Sequence, residues 1–101
     1  MYKIVYLPTA RRQLEDAVMY IAADLNAPEA AMELADEVDK AVRKLSEMPY
    51  RFPIYHTLYA IKHEIRFFPV KNYHVYYVVH EESKTVEIWR FLHQLQKQEH
   101  R

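Results

Sequence analysis

Three strand-like runs follow one another between Ile65 and His93, and they narrow the fold more than anything else in the chain. Ile65-Arg66-Phe67-Phe68, Tyr73 to Val79 and Val86 to His93 are rich in β-branched and aromatic residues, which suit a pleated, half-buried surface. Pro69, Lys71-Asn72 and Glu81-Glu82-Ser83-Lys84 separate them, so residues 64–92 read as an antiparallel three-stranded meander. Arg66 and Arg90 are then strand residues. Burying an arginine without a partner costs free energy, so a strand arginine faces a groove, an ion pair or a bound anion. There is no glycine in the chain. Turns must therefore rely on Asn72, Ser83 and the prolines, which disfavours two-residue turns with φ > 0 at both central positions.

The first half has a different period. Residues 2–7 read as a short strand. Thr9 stands where a hydroxyl caps a helix, and Ala10, Leu14, Ala17/Val18, Ile21 and Leu25 recur at helical spacing, which predicts a helix over 9–25. Pro28 suits the first position of a second helix, where its missing N–H has no partner in any case. Ala31, Leu34/Ala35, Val38, Ala41/Val42 and Leu45 carry that helix over 28–47. A connection of a few residues makes the two an antiparallel hairpin. Pro49 and Pro53 end the helical region. The stretch Ile54 to His63 has no clear period, and 94–101 reads as a tail.

The order β-α-α-β-β-β predicts a single α+β domain over 1–101: an antiparallel sheet packed on one face by a helical hairpin. The opposite sheet face is then open to a ligand. A chain of 101 residues, half of them apolar, supports one modest core. Without cysteine, disulfides and thiolate metal sites are excluded and a reducing compartment is compatible. No apolar run approaches the roughly 20 residues that span a bilayer, and no signal-peptide core follows Met1. A cytoplasmic protein with no membrane partner is expected. No His-x₃-His pair, zincin motif or Gly-rich phosphate loop occurs, so no metal or cofactor is expected. Ser46 and Ser83, the only serines, lie in helix-end and turn contexts that suggest no nucleophile.

Charge balances overall, at 14 Lys/Arg against 14 Asp/Glu, but not between the halves. Residues 1–50 carry six Lys/Arg against nine Asp/Glu, and residues 51–101 carry eight against five together with all six histidines. The sheet-bearing half is thus suited to an anionic partner, although ordinary scatter explains an offset of this size equally well.

In this order, the motifs resemble the RelE/ParE superfamily of toxins from bacterial type II toxin-antitoxin modules over nearly the whole chain. Pro8-Thr9-Ala10, Leu14, Tyr20-Ile21, Ala30-Ala31, Leu45 and Pro49 resemble the ParE-type helical half. Ile65-Arg66, Tyr73-x-Val75-x-Tyr77-x-Val79 and Val86-x-Ile88-x-Arg90-x-x-His93 fall where the superfamily places its meander motifs. The resemblance implies a growth-inhibiting toxin, associated with plasmid stabilisation and held in a hetero-oligomer by a cognate antitoxin. Its target follows one of two branches: mRNA cut on the ribosome by a metal-independent endoribonuclease, or DNA gyrase inhibited by binding. The chain departs from both. Gln94-Leu95-Gln96 replaces a ParE-type Arg-Asp ending, and no tyrosine follows Tyr77 to match a RelE-type catalytic tyrosine. A non-toxic homologue that still binds an antitoxin is a third expectation.

RNA cleavage by attack of the 2′-OH needs a base, an acid and positive charge on the phosphoryl oxygens. Arg66 and Arg90 suit the charge, because a guanidinium stays protonated and grips phosphate bidentately. His93, with His63 or Lys62, suits the proton transfers. These five residues are the expected site, and because they supply parts that RNA cleavage can use, mRNA cleavage with the ribosome and mRNA as partners is narrowly preferred, with gyrase inhibition as the alternative. Strict strand alternation sets Arg90 and His93 on opposite faces, so one groove holds both only if the strand bends. The competing reading is structural: Arg66 and Arg90 in ion pairs with Glu64, Glu87 or helix carboxylates, His93 exposed at a strand end, and His56, His74, His80 and His100 inert.

Overall fold

The computed structural model describes residues 1–56 and 62–95. Its elements are β1 (Lys3–Tyr6), α1 (Pro8–Met19) running into a π-helical turn (Tyr20–Asp24), α2 (Pro28–Lys44), β2 (Arg66–Val70), β3 (Tyr73–His80) and β4 (Thr85–His93). The expected α+β order is present. Tyr59, His100 and the tail beyond Leu95 lie outside the described residues.

Pro8 supplies the first helical φ of α1, and Leu7 is the residue before the helix, with no side-chain cap. Thr9 is therefore inside the helix and does not cap it, contrary to the expectation. Pro28 opens α2 as predicted. Asn26 provides the left-handed residue that breaks the helical run, at φ 51°, a conformation that asparagine tolerates better than most residues. The other positive-φ positions are Lys71 at 53° and Lys84 at 51°. The β2–β3 turn has two residues, Lys71-Asn72, between the paired Val70 and Tyr73. Only the first has φ > 0, as the lack of glycine demands.

The sheet order is β1-β4-β3-β2. β2, β3 and β4 form the antiparallel meander, whereas β1 joins β4 in parallel, from Lys3↔Thr85 to Tyr6↔Ile88, so the sheet is mixed. The helices explain this direction. α2 returns the chain beside the start of β1, where the Tyr2 N–H donates to the Ser46 carbonyl at 2.8 Å. β2 then leaves from the same end as β1, and β4, two strands over, runs the same way. β2 is a sheet edge, which is why Pro69 fits inside it rather than ending it. Residues 53–55 cover that edge, with the Tyr55 N–H on the Ile65 carbonyl at 2.6 Å and the Phe67 N–H on the Pro53 carbonyl at 3.2 Å.

One sheet face packs on the helices through Ala10, Leu34, Val38, Val42 and Leu45 against Phe68, Val70, Val75, Tyr77, Val86, Ile88 and Phe91. The other face is not bare. Ile65, Tyr76, Val78 and Leu92 are buried there, with Tyr55, Phe67 and Trp89 packed around them. A β-bulge separates the pairs Tyr76↔Arg90 and Tyr77↔Ile88, leaving Trp89 as the extra residue. Its consequence is a change of phase along β4. Ile88 faces the helices, Trp89 and Arg90 both face away, and Phe91 faces the helices again.

Candidate functional site

The five expected site residues do not meet in one place. Arg66 is opposite Tyr77, on the helix side, where its Nη1 donates to the Phe52 carbonyl at 2.7 Å and, more weakly, to the Tyr50 carbonyl at 3.4 Å. Its guanidinium also lies over the Tyr50 ring at 5.1 Å and 3.6 Å from a Glu64 carboxylate oxygen. With only 17% of its side chain exposed, it is a clamp on the 50–52 turn. Arg90 points to the other face and donates to the Trp89 carbonyl at 2.8 Å. The strand β3 separates the two arginines, which corrects the expectation that both reach one groove.

His93 pairs with Tyr73 on the helix side, edge-on to its ring at 5.3 Å. The bulge precedes Arg90, so it cannot bring His93 to that side, and the alternation argument against a shared groove stands. His93 Nδ1 accepts the Leu95 N–H at 3.2 Å. Lys62 is exposed. His63 reaches the far face, with its ring 5.2 Å from that of His80 and 5.9 Å from that of Trp89.

The sheet assembles a different constellation around His63. Glu87 Oε1 accepts from His80 Nε2 at 2.8 Å and from Trp89 Nε1 at 3.0 Å. Those two hydrogen bonds, His80 first, hold the Glu87 carboxyl below the usual carboxylate range, against a smaller opposing effect of burial. An ionised carboxylate only accepts, so His80 donates through Nε2. A histidine oriented by a carboxylate, beside a second imidazole, is equipped for acid–base chemistry. His80, Glu87 and Trp89 were not among the expected site residues. The signal was available in part: on the alternating runs, His80 and Glu87 fall on the same sheet face near the β3–β4 turn.

A second polar cluster ties the ends of the sandwich together. Glu81 Oε1 accepts from the hydroxyls of Tyr2 and Tyr50, each at 2.7 Å, and its other oxygen pairs with Lys84. Bonds from Lys84, Tyr2 and Tyr50 lower the Glu81 pKa to about 2, while the bond to Glu81 raises that of Tyr50 to about 12. This is a latch, far in role from the far-face histidines. Among the described residues no group of three His, Cys, Asp or Glu is placed to hold a metal ion, and no helix is long and apolar enough to cross a membrane.

The profile of the "ParE toxin of type II toxin-antitoxin system, parDE" matches residues 4–98, almost the entire chain. The chain belongs to the ParE toxin family. It is thus the toxin kind of protein in a type II toxin-antitoxin system, within the RelE/ParE superfamily. Solved structures agree on the fold of this ParE-family chain. The chromosomal ParDE system from P. aeruginosa aligns at TM-score 0.72 with 15% identity, covering 92% of this chain and 96% of that one. The RelBE2 toxin-antitoxin complex from Mycobacterium tuberculosis gives 0.61 and 25%, covering 94% and 93%. The archaeal RelE-RelB complex from Pyrococcus horikoshii OT3 gives 0.62 and 13%, covering 95% and 98%. A comparison with curated proteins finds no significant match.

Proposed function

We propose that this ParE-family toxin acts in the cytoplasm, is held inactive by a cognate antitoxin polypeptide, and arrests growth by binding DNA gyrase rather than by cutting RNA. The separation of Arg66 from Arg90 carries this reading. Phosphoryl transfer needs positive charge gathered at one phosphate, whereas Arg66 is committed to the carbonyls of the 50–52 turn on the helix side and Arg90 lies across the sheet. A toxin that works by contact needs no such convergence. The relatives solved as toxin-antitoxin complexes support the antitoxin partner, and a stable complex of that kind buries on the order of 1,000 Å² or more. Purified chain added to gyrase should abolish supercoiling and accumulate cleaved DNA. Gyrase that keeps its full activity at high toxin excess rejects the reading.

One observation favours ribosome-dependent mRNA cleavage instead: the His63, His80 and Glu87 grouping. In that chemistry His80, oriented by Glu87, takes the proton of the 2′-OH and His63 supplies one to the departing 5′-oxygen, while Arg90, on the same sheet face, and Lys62, beside His63 in the chain, are the candidate cations. Ribosome-bound mRNA would then be cut by the wild type, and His80→Ala would slow the cleavage by roughly 10²-fold or more with the fold intact. Uncut mRNA removes this alternative.

A further inference from the structure

A cleft of about 380 Å³ opens where α1 crosses the ends of β3 and β4, away from both the far-face histidines and the Glu81 latch. Aromatic rings form much of its wall, with Leu92 and the His93 imidazole at the β4 end. Tyr73 stacks on Phe91 at 4.7 Å with the planes 10° apart, and Tyr20 lines the α1 side. Ala17 leaves the space between them, since a larger side chain there would fill it. Asp16 also lines the cleft, one helical turn before Tyr20, and is in no ion pair among the described residues. The helices behind it add to the negative field: residues 8–44 carry eight Asp/Glu and five Lys/Arg. Ring faces and an unpaired carboxylate both favour an organic cation. A guanidinium suits them best, because it is planar, stacks on rings and forks onto a carboxylate.

The surroundings indicate that the cation arrives on a polypeptide. β1 stops pairing at Tyr6↔Ile88, so the last part of β4, paired with β3 on one side, has no strand beside it on the other. There the Phe91 N–H is taken by the side chain of Gln13, at 2.8 Å. Main-chain groups of a sheet edge thus border the cleft, and Tyr20, which lines it, is 51% exposed. We infer that the cleft seats an arginine side chain of the antitoxin, its guanidinium between the aromatic wall and Asp16 and its backbone passing along the outer edge of β4 past the Gln13 contact. This rests on the antitoxin-bound toxin reading and adds the chemistry of the contact.

The test is a titration of the full chain, followed by ¹H–¹⁵N NMR, with N-acetyl-arginine amide and with its neutral isostere N-acetyl-citrulline amide. Shifts should concentrate at Asp16, Ala17, Tyr20, Tyr73 and Phe91, with citrulline at least about fivefold weaker. Asp16→Asn should weaken the arginine probe by roughly three- to tenfold. Ala17→Leu, which keeps a good helix former in α1, should remove binding without changing the circular dichroism. Equal binding of the two probes, indifference to Asp16→Asn, or no shifts at about 50 mM probe overturns the cleft assignment. The occupant is tested by co-expression with the product of the adjacent reading frame. Ala17→Leu should weaken its capture at least about tenfold, and unchanged capture assigns the arginine to another source. Growth on induction of the wild-type chain alone tests the toxin reading separately: normal growth sinks that reading, while the arginine titration still decides the cleft.

Discussion

Arg66 holds the turn that follows the helices, and its replacement should be felt as stability. Arg66→Ala removes a hydrogen bond to the Phe52 carbonyl and a cation–π contact with Tyr50, at a cost of about 2 kcal/mol, or roughly 10 °C in Tm for a domain of this size. Arg66→Lys should restore little, because an ammonium cannot reproduce the planar fork. Thermal unfolding of the three proteins checks this, and an unchanged Tm for Arg66→Ala would assign the side chain a different role. Glu81 makes a pH-dependent contribution. Its folded-state pKa, about 2, lies below the ordinary value of 4.5, so the stability it adds is fully present above about pH 4.5 and is lost as pH falls through 2. Glu81→Gln should lower Tm at neutral pH and flatten the Tm profile between pH 2 and 4.5 relative to wild type. Arg66 was legible as a strand residue needing a partner, and Glu64 was among the partners anticipated. The Phe52 carbonyl was not, because no pattern of residue types records which backbone oxygen a turn aims at a guanidinium.

Among the elements, the two helices and the meander follow from period alone, and the mismatches have local causes. Pro69 divides the β2 run only if β2 is internal; at an edge its missing N–H faces away from the ladder. The bulge at Trp89 is the more consequential miss. It leaves no mark in a run such as Val86-Glu87-Ile88-Trp89-Arg90, yet it decides that Arg90 leaves the face of Ile88 and joins that of Trp89. Turns without glycine carry a related penalty. Lys71 occupies the left-handed region at φ 53°, where a residue with a Cβ loses about 1 kcal/mol relative to glycine. Its ion pair with Glu33, at 3.4 Å between largely exposed groups, returns only a few tenths. Lys71→Gly should therefore stabilise the domain by about 0.5 kcal/mol, visible as a higher urea midpoint with an unchanged slope. A lower midpoint would show that the turn depends on the lysine side chain.

At the scale of the molecule, the sheet has apolar clusters on both sides, and this is what makes β3 its centre. A strand covered on one face alternates between apolar and polar residues, whereas one covered on both reads as a near-continuous apolar run. Tyr73-His74-Val75-Tyr76-Tyr77-Val78-Val79 is such a run, so two-sided burial was legible although an open face was expected. In the structure Val75 and Tyr77 are fully buried against the helices, while Tyr76 and Val78 are 3% and 1% exposed on the other side. Tyr55 crosses over that side, its ring 5.7 Å from Phe67 and 5.1 Å from Tyr76. The far-face histidines thus stand at the border of a second small core, where neighbouring side chains hold them in place. Val78→Ala separates a packed face from a solvated one. If Val78 is part of a core, its truncation costs about 2 kcal/mol through lost burial and the cavity left behind. On a solvated face the same change costs close to nothing. Val75→Ala, on the helix side, should cost a similar amount, and the two should add, because the sheet itself lies between the side chains. Urea unfolding of the single and double variants checks both statements. A near-silent Val78→Ala would mean that the far face is only loosely covered in solution, and the orientation of His80 by Glu87 would then lose its packed support.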